Sequence, residues 1–532
     1  MVDDSDTPDD VDLPDDMAFP DEPDVEEMAE AEESEPRIDF YGGKWLSALP
    51  ITLFIIWAIV QTALFRISDT SGLVIGMLIA LIIGLFFVKG DWRHYANTIF
   101  EGMTQRVAAT AIVAWLWAGM FAATLQVGGF VDGLIWLANS LGIGPAFFPA
   151  ITFVLAAVFA TAVGTGYGTT VAFVILFFPA GVLLGANPVL LFAAILSGAA
   201  FGDNLAPVSD TTIVSAVTQN SDIGGVVASR FKYAIIAAVP AFILFLIAGT
   251  TLGGGVEVGK NAEQFIAKNS NPVGLVHLVS MAVVIWAAVR GRHIVEAITW
   301  GIVVAVIFNL VFNLAPVSEM LVFKMPAEAP VADIAAALPF AKISASPGVA
   351  GSLYSGAVGF FALSILTLLI VAAAQIMIRG GAFEALQNWL LETVATNTRR
   401  CELSMVGSTA FVNIIITINT AAEIAIAPYV STLGKKFNIN GYRRANILDA
   451  NTTAMGYVFP WSGALLLGLA AMQTQVAPQY EWFTQAMVVN PVAVMPFVFH
   501  CWLLLAVFLV SAWTGFGREY ITDRTSEEVA RV

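Results

Sequence analysis

The sequence predicts an all-α polytopic membrane protein of about ten transmembrane helices plus two re-entrant or broken hairpins, laid out as an inverted repeat. Three observations predict it. The 532 residues are 58% hydrophobic and only 12% charged, with a mean hydropathy of +0.79, whereas soluble domains carry about 25% charged residues. Apolar stretches long enough for a bilayer, about 20 residues as a helix, recur along the chain. The two halves also echo each other at an offset of about 252 residues.

Taken in chain order, residues 1–40 hold 18 Asp and Glu against one base, Arg37, so the net charge of −17 belongs to this segment and the remaining 492 residues are neutral. A stretch so rich in Asp, Glu and Pro cannot bury enough apolar surface to fold. It reads as a disordered cytoplasmic tail, with neither the basic start nor the apolar core of a signal peptide.

Candidate crossings follow at 45–65, 70–88, 107–127, 147–182, 233–251, 273–289, 294–313, 352–378, 403–434 and 493–513. The segments 189–228 and 443–478 are apolar but broken by Gly, Pro, Asp, Asn and Thr, and read as hairpins that return to their side of entry. The chain then divides into two N-terminal transmembrane helices (45–90), a first repeat (107–252), connecting helices and a loop (273–350), a second repeat (351–513) and a C-terminal tail (514–532). Lys and Arg in short connections mark the cytoplasmic side. Lys44, Lys89, Arg93, Arg106, Arg230, Lys232, Arg290, Arg292, Arg379, Arg399, Arg400, Arg518 and Arg524 then share one side, with both termini inside. Lys435, Lys436, Arg443 and Arg444 fall outside and violate the rule. Cys401 and Cys501 match no disulfide or metal spacing and read as packing residues.

The repeat rests on Gly128-Gly129-Phe130-Val131-Asp132 against Gly380-Gly381-Ala382-Phe383-Glu384, each after a long apolar helix and before the same order of parts. The first copy starts inside and the second outside, so the copies are inverted. Inverted repeats with broken helices are a common plan of secondary transporters, whose sites lie where broken ends meet near the midplane.

Polar groups at membrane depth persist only where protein or a water-filled cavity receives them. Four stretches qualify. Thr161 to Thr170 alternates Gly164, Gly166 and Gly168 with Thr165 and Thr169, which suits unwinding and exposed carbonyls. GDNLAPVSDTT, Gly202 to Thr212, places Asp203, Asn204, Ser209, Asp210, Thr211 and Thr212 around Pro207, with Ser209 and Asp210 also plausible helix caps. Asn413, Asn419, Thr420 and Glu423 occupy the matching place in the second half, and Asp449, Asn451 and Thr452 precede Phe459-Pro460-Trp461-Ser462, with Asp449 taken as the counterpart of Asp203. No Lys or Arg lies within the four stretches, and an unpaired carboxylate cluster suits a cation. His277 and His500, alone in their helices, read as structural. With no nucleotide-binding loop, catalytic triad or metal-ligand cluster, neither an ATP-driven pump nor an enzyme is expected, and no cofactor.

GDNLAPVSDTT, the Gly164-Thr165-Gly166-Tyr167-Gly168-Thr169 run and Pro460-Trp461 resemble the NhaC family of sodium/proton antiporters over about residues 70–515. The resemblance implies the fold of the ion transporter superfamily, with a scaffold, a mobile transport domain that often moves as an elevator, and often a homodimer. It implies Na⁺ efflux coupled to H⁺ entry across the cell membrane and places Asp203, Ser209, Asp210, Thr211 and Thr212 at or near the ion site. Asn204 stands where that family often has Lys, and Ala450 where it often has a second acid.

The expected mechanism is competition of Na⁺ and H⁺ for carboxylates centred on Asp203 and Asp210, with Asp449 or Glu423 contributing from the other half. An organic acid or amino acid as exchanged substrate is the alternative, followed by a channel or a non-transporting scaffold. The expected partners are the lipid bilayer, Na⁺ and H⁺, with no nucleic acid.

Overall fold

The computed structural model describes residues 37–67, 69–207, 209–252, 270–290, 292–330, 332, 338–394, 396–484 and 487–521. Most of the acidic segment, residues 1–36, and the last eleven residues of the C-terminal tail lie outside them.

The described residues are mostly helical. A first group comprises α1 (Leu49–Ile59), α2 (Thr70–Leu85), α3 (Trp92–Met103), α4 (Arg106–Val127) and α5 (Phe130–Ser140). It leads into α6 (Phe148–Val163), α7 (Gly166–Leu183), α8 (Pro188–Leu205), α9 (Asp210–Thr218) and α10 (Ile223–Thr251). After α11 (His277–Val289) and α12 (Ile294–Val311), β1 (Val322–Met325) pairs in parallel with β2 (Ala341–Ile343) and antiparallel with β3 (Gly348–Ala350). The second half runs α13 (Ser352–Val358), α14 (Phe361–Arg379), α15 (Ala382–Thr393), α16 (Thr398–Ile416), α17 (Asn419–Lys436), α18 (Gly441–Met455), α19 (Gly463–Ala471) and α20 (Phe499–Thr514). Seven helical segments of the described residues are long and apolar enough to cross a membrane, or eight if the bent pair Pro491–Phe497 and Phe499–Thr514 counts as one. The protein is a polytopic membrane protein.

Two expected crossings are hairpins. α6 and α7 fold back on each other, with Phe159 and Phe173 in ring contact at 5.6 Å and the Phe148 ring over Gly181 at the base. Their tip is Gly164, in the left-handed region at φ +80°, followed by an extended Thr165 whose Oγ1 accepts the Gly168 N–H at 3.2 Å and starts α7. α16 and α17 do the same. Ser404 and Tyr429 hydroxyls lie 2.5 Å apart, Cys401 Sγ approaches the Leu433 carbonyl at 3.8 Å, and the tip is Thr417 at φ +65°. A β-branched residue there is strained. The Thr417 carbonyl accepts from Tyr167 Oη at 3.4 Å and from Gly463 N–H at 3.3 Å, which fixes the turn.

The two expected hairpins are in turn broken crossings. α8 rises from the base of the first hairpin to its tip, where Gly202 lies against Ala160 and Thr161. It stops at Leu205 because Pro207 drives Ala206 out of the helical region, to ψ 121°. α9 then carries on to Gln219, whose amide donates to the Ala427 carbonyl at 3.2 Å beside the base of the second hairpin. α18 starts there, with Gly441 against Gln219 and Ser221, and after the break at 456–462 α19 proceeds to Gly468, which lies against Phe192 and Thr170.

Apolar length misled the sequence reading in both places. A protein-wrapped hairpin is as apolar as a span, and a polar break halfway through a traverse looks like a turn. The 36 residues of 147–182 were the available signal, since one crossing needs about 20.

The exchange moves the 435–444 connection to the other end of the molecule. Asn440 Nδ2 donates to Glu519 at 2.9 Å, and Arg518 Nη2 lies 2.8 Å from Glu402. Lys435, Lys436, Arg443 and Arg444 therefore share an end with Lys232, Arg399 and Arg518, and no longer stand apart from the other basic connections.

Lipid supplies no hydrophobic drive between helices, so close packing of small residues holds them. Gly198 and Gly202, one turn apart on α8, meet Ala156, Ala157 and Ala160 of α6, and Gly119 of α4 meets Gly356 of α13. Gly202→Val puts a branched side chain into the α6 backbone and should cost about 1–3 kcal/mol. A thermal midpoint in detergent equal to that of the wild type would contradict this contact.

Candidate functional site

The two hairpin tips and the two helix breaks converge. Tyr167, beside the first tip, donates to the carbonyl of Thr417 and approaches Asn419 Oδ1 at 3.4 Å, both at the second tip, and Gly166 lies against Tyr457 Oη. Four chain interruptions thus meet around one polar centre, where freed backbone groups and buried side chains satisfy one another.

Asp203, in the last turn of α8, is 5% exposed. Its Oδ1 accepts from Ser209 Oγ at 2.9 Å, and its Oδ2 from Tyr457 Oη at 2.9 Å and Asn419 Nδ2 at 3.5 Å. Ser209 stands at the N-cap of α9, yet its hydroxyl serves Asp203 and Thr211 Oγ1, at 3.0 Å, rather than the helix N–H groups. The capping alternative for Ser209 is thereby set aside. Asp210 is exposed on the protein surface and accepts from Thr420 Oγ1 at 2.5 Å and from Thr211 N–H at 3.1 Å. No Lys or Arg among the described residues forms an ion pair with either carboxylate in this structure.

Asp449 is different. It is fully buried and ion-paired with Arg230, which extends from α10 and is also fully buried. Its Oδ2 further accepts from Thr212 at 3.2 Å and Ser215 at 3.5 Å, and its Oδ1 from Thr453 at 2.7 Å. The expectation of an unpaired carboxylate cluster therefore fails for Asp449. Arg230 lies two turns inside α10, whereas the sequence reading put it in a connecting loop. Its neighbours Phe231 and Lys232 are polar or exposed, and nothing in hydropathy marks a base that turns inward.

Pro207 and Ser209 match Pro460 and Ser462 in the sequence at an offset of 253, and at that offset Gly456 stands opposite Asp203. Gly456 lies against Asn413 and Asn419.

Glu423, fully buried on α17, accepts from Thr452 Oγ1 at 2.9 Å through Oε1, and its Oε2 has no partner. Asn413 Nδ2 donates to Asn419 Oδ1 at 2.9 Å and to the Thr452 carbonyl, joining this pair to the Asp203 group. The buried oxygens Asn204 Oδ1, Asn413 Oδ1, Asn451 Oδ1, Thr417 Oγ1 and Ser462 Oγ also lack partners, a set of hard oxygen donors of the kind alkali and proton chemistry uses.

Two expected residues are not drawn in. Thr165 caps α7 and faces an apolar cavity lined by Phe121, Phe159 and Val284, and Thr169 Oγ1 returns to the Thr165 carbonyl at 2.8 Å. His277 pairs with Asn309 at 3.1 Å and His500 sits between Phe153 and Phe201, neither touching the polar centre. Tyr167, Ser215, Arg230 and Tyr457 are contact residues that the sequence reading left out. At the basic end, outside the crossings, hydrogen bonds from Tyr442 Oη and the Gly225 N–H hold the exposed Asp222 carboxyl below the usual range.

A polytopic membrane protein with carboxylates buried at the meeting point of broken helices has the architecture of a membrane transporter. The model of the Na⁺/H⁺ antiporter family matches residues 38–249 and 216–502, and the chain belongs to that family. It is 27% identical over 244 residues to the malate-2H⁺/Na⁺-lactate antiporter of Bacillus subtilis (45% of this chain, 51% of that protein). It is 23% identical over 263 residues to the Na⁺/H⁺ antiporter NhaC of Alkalihalophilus pseudofirmus (48% and 55%). It is also 23% identical over 474 residues to the arginine/ornithine antiporter ArcD of Halobacterium salinarum (85% and 91%). The matches to the first two span about half the length of those relatives.

Proposed function

We propose that this protein exchanges Na⁺ for H⁺ across the cell membrane, with Asp203 and Asp210 as the carboxylates for which the two ions compete. The observation that carries the reading is the Asp203 carboxylate, buried between the halves of the chain with hydroxyl and amide partners only and no base to neutralise it. A buried charge left uncompensated is costly, so Na⁺ or H⁺ must fill the place of the missing base. If the loaded or protonated site crosses the barrier and the empty, charged site does not, two ions that compete become two ions that exchange. Asn419 Nδ2 and Ser209 Oγ donate to Asp203 and Thr420 Oγ1 to Asp210, and Thr211, Thr212, Asn204, Asn413, Asn451, Thr452 and Glu423 surround the pair.

The chain is read as a transporter and not an enzyme, built from two inverted repeats, 107–252 and 351–513. The left-handed glycines Gly129 (φ 74°) and Gly381 (φ 79°) start α5 and α15 alike, and the hairpin-then-broken-crossing order is the same in both halves. Helices 45–90 and 273–350 form the scaffold, the hairpins and broken crossings move as an elevator, and a homodimer is the assembly. The basic end, with both termini, faces the cytoplasm.

A second reading, exchange of an organic solute, is favoured by the match to the arginine/ornithine antiporter over most of both chains. An ammonium or guanidinium would meet Asp210 as Na⁺ does, whereas an organic anion would find Arg230 already occupied. Proteoliposomes with an imposed proton gradient and a pH dye decide between them. Addition of NaCl should dissipate the gradient where KCl does not. No response to Na⁺, with a response to arginine or malate, would overturn the sodium reading in favour of the second.

A further inference from the structure

We propose that Arg230 is a built-in cation of the transport site: it permanently neutralises Asp449, positions both arms of the first helix break, and leaves Asp203 and Asp210 as the only aspartates that exchange ions. This rests on the antiport reading above and names a positioning residue for it.

The contacts of the guanidinium carry the argument. Nη1 pairs with Asp449 Oδ2 and donates to the Asn204 carbonyl at 2.7 Å and to Thr212 Oγ1 at 3.4 Å. Nη2 donates to Ser215 Oγ at 3.3 Å and Nε to Asn446 Oδ1 at 3.1 Å. One side chain from α10 therefore holds the last turn of α8, the first turns of α9 and the middle of α18. The Asn204 carbonyl follows Asp203 directly in the chain, and Thr212 lies two residues after Asp210. The places of both exchanging carboxylates are thus fixed from the same fork, which a planar guanidinium can do and a point charge does less well.

Charge balance gives the pair its role. Arg230 and Asp449 are both fully buried, so neither is screened by solvent, and together they add no net charge to the centre. If Asp449 were free it would take up a cation of its own. If Arg230 were free it would repel the cation that Asp203 and Asp210 are there to bind. Matching the two charges keeps the cargo at the Asp203–Asp210 pair.

A charge cycle in proteoliposomes tests this on Na⁺-driven exchange, with the half-saturating Na⁺ concentration and the maximal rate measured separately. Asp449→Asn leaves the guanidinium uncompensated beside the site. Half-saturating Na⁺ should rise about tenfold or more, with a smaller effect on the maximal rate. Arg230→Gln added to it removes the stray charge and should bring half-saturation back to within about threefold of wild type, while the maximal rate stays low because the fork that places both arms is gone. Arg230→Lys keeps the charge but loses the fork, and should fall between. A purely structural role would lower yield and maximal rate in all variants without this reversal.

Unchanged half-saturation in Asp449→Asn, or a double variant as impaired as Asp449→Asn, overturns the proposal. Should Asp449→Asn fail to insert, the double variant alone decides: exchange at near wild-type half-saturation supports the proposal, and none overturns it. A wild type that responds only to arginine refutes the sodium reading, and the same cycle is then scored on half-saturating arginine.

Discussion

Asp203→Asn is expected to remove Na⁺-driven proton movement while the protein still inserts in the membrane. The variant keeps the size of the side chain and an oxygen for Ser209 or Tyr457 to donate to, but the negative charge that both ions need is gone. Losing a charged partner costs about 1.5–3 kcal/mol, a fall of about 10- to 100-fold in ion occupancy at a given Na⁺ concentration. Folding is spared because a neutral amide is cheaper to bury than an unpaired carboxylate. The pH-dye assay, with protein yield in the membrane as the control, reads both quantities. Full retained exchange would refute the role of Asp203.

Glu402→Gln is expected to be the more damaging change to stability. Glu402 is fully buried between two guanidiniums, Arg443 at 2.8 Å on Oε1 and Arg518 at 2.8 Å on Oε2. Arg443 is itself inaccessible, stacks against Tyr233 and Phe508, and takes no other carboxylate among its hydrogen bonds. Breaking such a pair from one side leaves an uncompensated charge and costs about 3–5 kcal/mol. The same carboxylate ties the 515–521 segment to the base of the second hairpin, so local opening there should accompany the loss. The checks are a lowered thermal midpoint in detergent and faster amide exchange in residues 515–521. A midpoint within error of the wild type would show that solvent or another acceptor takes over.

Much of this is legible in the sequence. Composition and apolar runs identify a membrane protein because lipid demands them, and no tertiary context can override that demand. GDNLAPVSDTT stands out for the same reason: an acid beside a proline in an apolar run is tolerated only where protein or water receives it, and Asp203 lies buried where the broken helices meet. Of the polar residues picked out by type and position, Ser209 and Asn419 donate to Asp203 and Thr420 donates to Asp210.

What stayed illegible has physical causes. Hydropathy measures how apolar a segment is and not where the chain reverses, so 147–182 and 403–434 passed for crossings and 189–228 and 443–478 for hairpins. The pairing of Arg230 with Asp449 spans 219 positions and depends on α10 presenting one particular face inward. Thr165 and Thr169 look like ligands by composition, but a capping bond and a bond to the preceding turn use them locally.

The sequence by itself determined that the chain lives in a membrane and which acids interrupt its apolar runs, because these follow from residue type and spacing along one chain. Only the tertiary structure decided which breaks are hairpins, which acid already has its base, and which oxygens meet, because those depend on contacts between helices hundreds of residues apart.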